Sequence, residues 1–167
     1  MPKDMKKKYI IFPSQIGEIR VEGLPDLVTR LRLPGEMASD FEDLEILGAN
    51  EAYPALEEAA EWLNKYFAGE AVTWEIHAKP SFNGFTAKIY ESLLKVPFGV
   101  TVSYGELAEM AGNRNAARAV GRAMATNPLA ILIPCHRVLG SDGSLHGYGG
   151  GLPMKKALLE HEGVAFR

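Results

Sequence analysis

A single cysteine, Cys135, stands in the 167-residue chain, and His136 follows it directly. A thiol attacks carbon as its thiolate, and at an unperturbed pKa of about 8.5 only a few per cent is ionised at neutral pH. A nucleophilic Cys135 therefore needs a base or a positive neighbour, and His136 is the nearest candidate. Consecutive residues of a strand point to opposite faces, so the two meet only through a turn at Cys135 or a bridging water. Such a base is held from its other ring nitrogen by a carboxylate. Glu162, near the end of a helix expected over Leu152 to about His161, is the choice; Glu160 is the alternative, although it reads more readily as a solvated charge. Downstream, Gly140, Gly143, Gly147, Gly149, Gly150 and Gly151 surround Tyr148 in a loop that can bring backbone N–H groups against a ligand. An isolated cysteine is more often a core residue. Here its neighbours point to chemistry.

The elements that position these groups follow from patterning. Ala130-Ile131-Leu132-Ile133 is an apolar run expected as a buried strand that ends in Pro134-Cys135. Upstream, Ser103 and Glu106 form a capping box that opens a helix, and Gly112 closes it. A further helix is expected from Asn113 or Asn115 to about Thr126. Two short helices joined by a tight turn containing glycine have the shape of a helix-turn-helix. Arg114, Arg118 and Arg122 recur every four residues and share one face if this helix begins early enough, with Ala117, Val120, Gly121 and Met124 elsewhere on the cylinder. Small residues admit close approach of a partner, and Arg118, near the helix start, is the side chain expected to touch or enter a nucleic-acid groove. A solvated arginine face explains the same residues as well. Before these, Asn83 is expected to cap a helix from Phe85 to about Val96, stopped by Pro97-Phe98-Gly99, with Val100 to Val102 extended.

The first half offers no comparable chemistry. Lys7 to Phe12, Glu18 to Glu22 and Val28 to Leu33 alternate as strands, the first two joined by a turn at Ser14-Gln15-Ile16-Gly17. An acid-rich loop, Gly35 to Glu51, leads to a helix from about Tyr53 to Phe67 with Leu56, Ala59, Ala60, Leu63 and Phe67 in one stripe. His77 to Ser81 reads as a linker. The expected fold is α+β: residues 1–80 a small antiparallel sheet with a helix on it, and residues 81–167 a mainly helical, winged-helix-like unit carrying the helix-turn-helix.

Composition narrows the function classes. One cysteine excludes an internal disulfide, and His77, His136, His146 and His161 lack metal-finger spacing, so no metal and no cofactor are expected. Tyr9 to Phe12 is too short an apolar stretch for a signal or membrane segment, and a cytoplasmic monomer is expected, nuclear in a eukaryote. The net charge of -3 hides an asymmetry: residues 1–80 carry 9 basic and 15 acidic groups, residues 81–167 carry 9 and 6. No carboxylate falls between Glu109 and Asp142, while Arg114, Arg118, Arg122 and Arg137 do, so a local positive field is expected.

The ordered motifs Val102-Ser103-Tyr104-Gly105-Glu106-Leu107-Ala108, Ala117-Arg118-Ala119-Val120-Gly121, Ile133-Pro134-Cys135-His136-Arg137-Val138, Tyr148 to Gly151 and Leu159-Glu160-His161-Glu162-Gly163 make residues 81–167 resemble the O6-alkylguanine-DNA alkyltransferase family, with the first half similar in layout. The resemblance implies suicide repair of double-stranded DNA bearing O6-alkylguanine, and also O4-alkylthymine, by transfer of the alkyl group to Cys135 after base flipping. It implies that His136 and Glu162 are the water-linked base and its orienter, that Tyr104 bonds guanine N3, and that Arg118 fills the gap in the base stack, with Arg114 and Arg122 also on DNA. It implies that Asn127 ties the helix-turn-helix to the active-site strand, and that Tyr148, Gly149, Gly150, Met124 and Val138 shape the pocket. Gly149 departs from the serine of many relatives, which removes a side chain and widens the pocket. The zinc-binding cysteines of some animal members are absent, as is the tryptophan that replaces the cysteine in non-transferring relatives. Two rival readings are a DNA-binding or lesion-sensing module without chemistry, disfavoured by Cys135, and a cysteine hydrolase using Cys135 and His136, disfavoured by the helix-turn-helix.

Overall fold

The computed structural model describes residues 5–36, 44–74 and 81–166. Strands β1 (Lys8–Ser14), β2 (Gly17–Leu24) and β3 (Leu27–Arg32) form an antiparallel meander, and helix α1 (Pro54–Phe67) packs on it. The β1–β2 turn closes through the pair Ser14 and Gly17, and Gly17 takes φ +116, a left-handed value that a side chain disfavours. The sheet is not purely antiparallel. A two-residue strand β4 (Glu45–Ile46), inside the segment expected as loop, pairs parallel with β1 and gives the order β3-β2-β1-β4. Lys8 holds this edge through Glu45 and Glu51 at 2.9 and 3.1 Å.

The second half comprises α2 (Gly84–Leu93), β5 (Val102–Ser103), α3 (Tyr104–Met110), α4 (Ala117–Ala125), β6 (Val138–Leu139) and α5 (Leu152–His161), with β5 and β6 pairing parallel. Asn83 occupies the cap position of α2 without a side-chain cap bond, and the helix ends at Leu93, earlier than its apolar pattern suggests, because Lys95 and Val96 close tighter turns onto Ser92 and Leu93. The capping box opens α3 as expected: the Glu106 N–H donates to Ser103 Oγ at 3.0 Å. Gly112, at φ +103, ends the turn after it.

Two elements differ from expectation in ways that matter for the site. Helix α4 begins at Ala117, not at Asn113 or Asn115, because the Asn113 side chain accepts from Asn115 N–H and forms a local turn that competes with helix. Arg114 therefore lies in the turn, off the face shared by Arg118 and Arg122. The apolar run Ala130 to Ile133 is buried but is no strand. Ile131 has φ +70, a costly conformation for a β-branched residue, and Ile133 N–H folds back to the Leu129 carbonyl at 2.8 Å.

One hydrophobic core runs through both halves, from Ile19, Val21 and Leu31 on the sheet through Leu56 and Leu63 on α1 to Leu107, Val120, Ile133 and Leu158. Leu31 N–H donates to the Pro128 carbonyl at 2.8 Å, so the bent segment leans on β3. The linker expected at His77 to Ser81 lies, up to Pro80, outside the described residues. No helix among the described residues is long and apolar enough to cross a membrane.

Candidate active site and nucleic-acid interface

Cys135, His136 and Arg137 form a single 3-10 turn after Pro134. Three residues per turn separate successive side chains by about a third of a revolution, so Cys135 and His136 are freed from the opposite-face geometry of a strand. Cys135, 4% exposed, lies at a cleft of about 640 Å³ also lined by Tyr104, Arg118, Met124, His146 and Tyr148. His136 and Arg137 turn inward and meet Glu162, the residue that ends α5.

Glu162 is saturated with donors. Its Oε1 accepts from Gly99 N–H and Arg137 Nε, both at 2.8 Å, and its Oε2 accepts from the Tyr66 hydroxyl at 2.7 Å and contacts His136 Nε2. Burial alone pushes this carboxyl up, but His136 and Arg137 outweigh it and hold the group down at about 2. An ionised carboxylate only accepts, so His136 Nε2 carries the proton toward Glu162. Burial lowers the pKa of His136, against the pull of Glu162, and keeps the ring neutral. Its buried Nδ1 then bears a lone pair and has no hydrogen-bond partner among the described residues. A neutral imidazole with one nitrogen anchored and the other available is the form a general base requires.

The thiol needs such a base. Burial raises the pKa of Cys135, while Asn127, Tyr148 and the charge of Lys155 act in the opposite direction. Lys155 is itself buried, donating to the Val138 carbonyl at 2.7 Å. It shares a face of α5 with Leu158, Leu159 and Glu162, and a lysine on that apolar stripe was a readable signal. Tyr104 hangs over the cleft with its ring edge-on to His146 at 5.5 Å, and burial raises its pKa, so it stays a hydrogen-bond donor.

Arg118 is exposed on α4 and lines the cleft together with the small residues Ala117, Gly121 and Ala125, while Arg122 is exposed one turn further along the helix. Arg114 is exposed in the preceding turn. Arg137, counted in the positive field from sequence, does not contribute to it, because it is buried and paired with Glu162. Asn127 uses both ends of its amide inside the protein, donating to the Ile133 carbonyl at 2.9 Å and accepting from Leu129 N–H at 3.0 Å, which ties the end of α4 to the bend before Cys135. Val138 does not line the cleft; its side chain is wholly buried in the core, and only its carbonyl serves the site, through Lys155. Gly149 lines the cleft, and Gly150 packs so closely on Leu33, just past β3, that a Cβ there would lie 2.7 Å from Leu33 Cδ1. Sequence reasoning missed Tyr66 and His146. The first fell outside the apolar stripe expected on α1, and its partner Glu162 is 96 residues away.

The chain is similar to known proteins in sequence and in fold. A family model described as 6-O-methylguanine DNA methyltransferase, DNA binding domain, matches residues 84–164. A protein of Mycobacterium bovis named methylated-DNA–protein-cysteine methyltransferase is 39% identical over 154 residues, 92% of this chain and 91% of its own length. A Mus musculus protein of the same name is 39% identical over 179 residues, covering 98% of this chain and 85% of its own. The crystal structure of Mycobacterium tuberculosis O6-methylguanine methyltransferase superposes with a TM-score of 0.79 at 38% identity, covering 94% of this chain and 93% of that one. The structure of Mycobacterium tuberculosis OGT in complex with DNA superposes with a TM-score of 0.75 at 38% identity, covering 94% and 92%. Because the likeness runs through the sheet half as well as through the half that holds Cys135, the chain belongs to the methylated-DNA–protein-cysteine methyltransferase family.

Proposed function

We propose that the protein repairs double-stranded DNA by moving the alkyl group of O6-alkylguanine, and of O4-alkylthymine, onto its own Cys135, once per molecule. The observation that carries this reading is the lone buried thiol at the cleft, backed by the His136–Glu162 pair with Nδ1 unengaged and overhung by an arginine-bearing helix. In this reading residues 81–167 are the DNA-binding and transfer unit, residues 1–80 support it from behind, and a monomer acts alone in the cytoplasm or nucleus.

Arg122, with Arg114 in the preceding turn, holds the DNA through phosphates, and Arg118 brings its charge into the groove, so affinity falls as salt rises. Helices α3 and α4 serve as a helix-turn-helix, and the small residues of α4 let the duplex approach. The damaged nucleotide flips into the cleft at a cost of a few kcal/mol, less for a weakly paired lesion, and Arg118 offsets lost stacking. The Cys135 proton passes through a water to His136 Nδ1. The thiolate attacks the alkyl carbon in line; the S–C bond forms as the C–O6 bond breaks. The electron pair leaves with guanine, and Tyr104 donates to N3 to neutralise it. The product is a thioether, and with no second cysteine in the chain nothing removes the alkyl group.

The test is stoichiometry. With an excess of duplex carrying O6-methylguanine, demethylation stops at one lesion per protein molecule. Continued turnover, or binding with no loss of methyl from the DNA, would contradict the reading; the second outcome is what a lesion-sensing module would give.

A further inference from the structure

Tyr66 lies on α1, in the half of the molecule that carries none of the chemistry described above, yet it is fully buried against the heart of the site. Its ring is fixed on all sides: stacked on Trp62 at 5.4 Å, edge-on to Phe67 and Phe98 at 5.0 and 5.7 Å, and tilted against His161 at 5.0 Å. The His161 ring also bonds the Tyr66 backbone carbonyl at 2.7 Å. So held, the hydroxyl donates to Glu162 Oε2 at 2.7 Å and lies 3.5 Å from His136 Nε2. Oε2 is the oxygen that His136 itself contacts.

We propose that Tyr66 is a positioning residue for alkyl transfer: by donating to the Glu162 oxygen shared with His136, it fixes the carboxylate and limits how strongly that oxygen raises the basicity of the imidazole. A packing role alone would need the ring but not the hydroxyl on this oxygen. Tyr66, His136 and the Arg137 Nη2 share the charge of this one oxygen, so removing a donor strengthens those that remain. Burial and the Glu162 charge both raise the pKa of Tyr66, so it remains a donor throughout the working pH range. The other groups facing the pair are Arg137, on both Glu162 oxygens; Lys155, whose charge lowers the pKa of His136; and His161, on the Tyr66 carbonyl. The inference rests on His136 acting as the base.

The experiment is the single-turnover rate of methyl transfer from an O6-methylguanine duplex, at saturating protein, across the pH range where His136 protonates. Tyr66→Phe keeps the ring and loses the donor. Its acid limb moves to higher pH by about half a pH unit or more, and the rate below neutrality falls several-fold, because a neutral imidazole is the active form. Placing 3-fluorotyrosine at position 66 keeps ring and hydroxyl but makes a stronger donor, and moves the limb to lower pH; this variant serves if Tyr66→Phe does not fold. Both comparisons are repeated in a His161→Gln background, which removes the other imidazole packed on Tyr66. A limb that stays with wild type in a folded variant, whatever the change in stability or overall rate, overturns the proposal, as does a shift in the opposite direction. Failure of the wild-type protein itself to move methyl onto Cys135 would instead overturn the proposed function.

Discussion

Replacing Glu162 by glutamine keeps the side-chain shape and removes its charge. Glutamine offers one acceptor oxygen in place of two and turns an amide N–H₂ toward donors, while Arg137, buried, is left without its counterion. Breaking a buried ion pair from one side costs about 3–5 kcal/mol. The titration of Glu162 gives a second figure. Its carboxyl lies at about 2 in the folded protein against an ordinary value of 4.5, and such a gap is worth about 3 kcal/mol. Because the folded value is the lower one, this stability is fully present above pH 4.5 and is lost as pH falls toward 2. Wild type should therefore exceed Glu162→Gln by about 3 kcal/mol at pH 7 and by about half of that at pH 3. Urea unfolding at the two pH values measures it: with a slope of about 2 kcal/mol/M, the midpoint drops by about 1.5 M at pH 7 with the slope unchanged. A drop below about 0.5 M at pH 7, or a gap of the same size at pH 3, would refute the assignment of Glu162 as the buried anion of the site.

Other perturbations separate the remaining roles. Cys135→Ala should bind duplex DNA with wild-type affinity and remove no methyl, read by gel shift and by lesion assay; weakened binding would mean that the thiol side of the cleft shapes the DNA surface. Arg118→Ala should slow repair of duplex more than dealkylation of the free base, and should reduce the slope of log affinity against log salt by about 1. Equal losses on both substrates would make Arg118 structural. Gly149→Ser should fold normally, within about 0.5 kcal/mol of wild type by urea unfolding, since a Cβ there would meet Glu36 Oε1 at an ordinary 3.5 Å. It should also slow transfer of bulky alkyl groups more than of methyl, and a clear loss of stability or an unchanged preference would contradict the cleft geometry.

Much of this was legible because local rules and tertiary need agreed. The capping box at Ser103 and Glu106, the meander turn at Gly17 and the extent of α5 all follow from side-chain chemistry within a few residues. Cys135, His136 and Glu162 could be named because few other groups were available to act as nucleophile, base and orienter. What escaped depends on contacts far apart in the chain. Ala130 to Ile133 has the apolar run of a strand, yet the packing of this segment on β3 and the amide of Asn127 bend it through a left-handed Ile131. Arg137 looked like surface charge because no carboxylate lies near it in sequence, whereas its partner comes from the end of α5. Tyr66 belongs to an acidic half with no visible chemistry, and only the folded chain brings its hydroxyl to Glu162.

The central claim, that Cys135 is the alkyl acceptor, is tested most directly by digesting the protein after reaction with a limiting amount of O6-methylguanine duplex and weighing its peptides. The account predicts that the Cys135 peptide alone gains one methyl group, in amount equal to the lesions lost from the DNA. Methyl on any other residue, or lesions lost while the Cys135 peptide keeps its original mass, would contradict it.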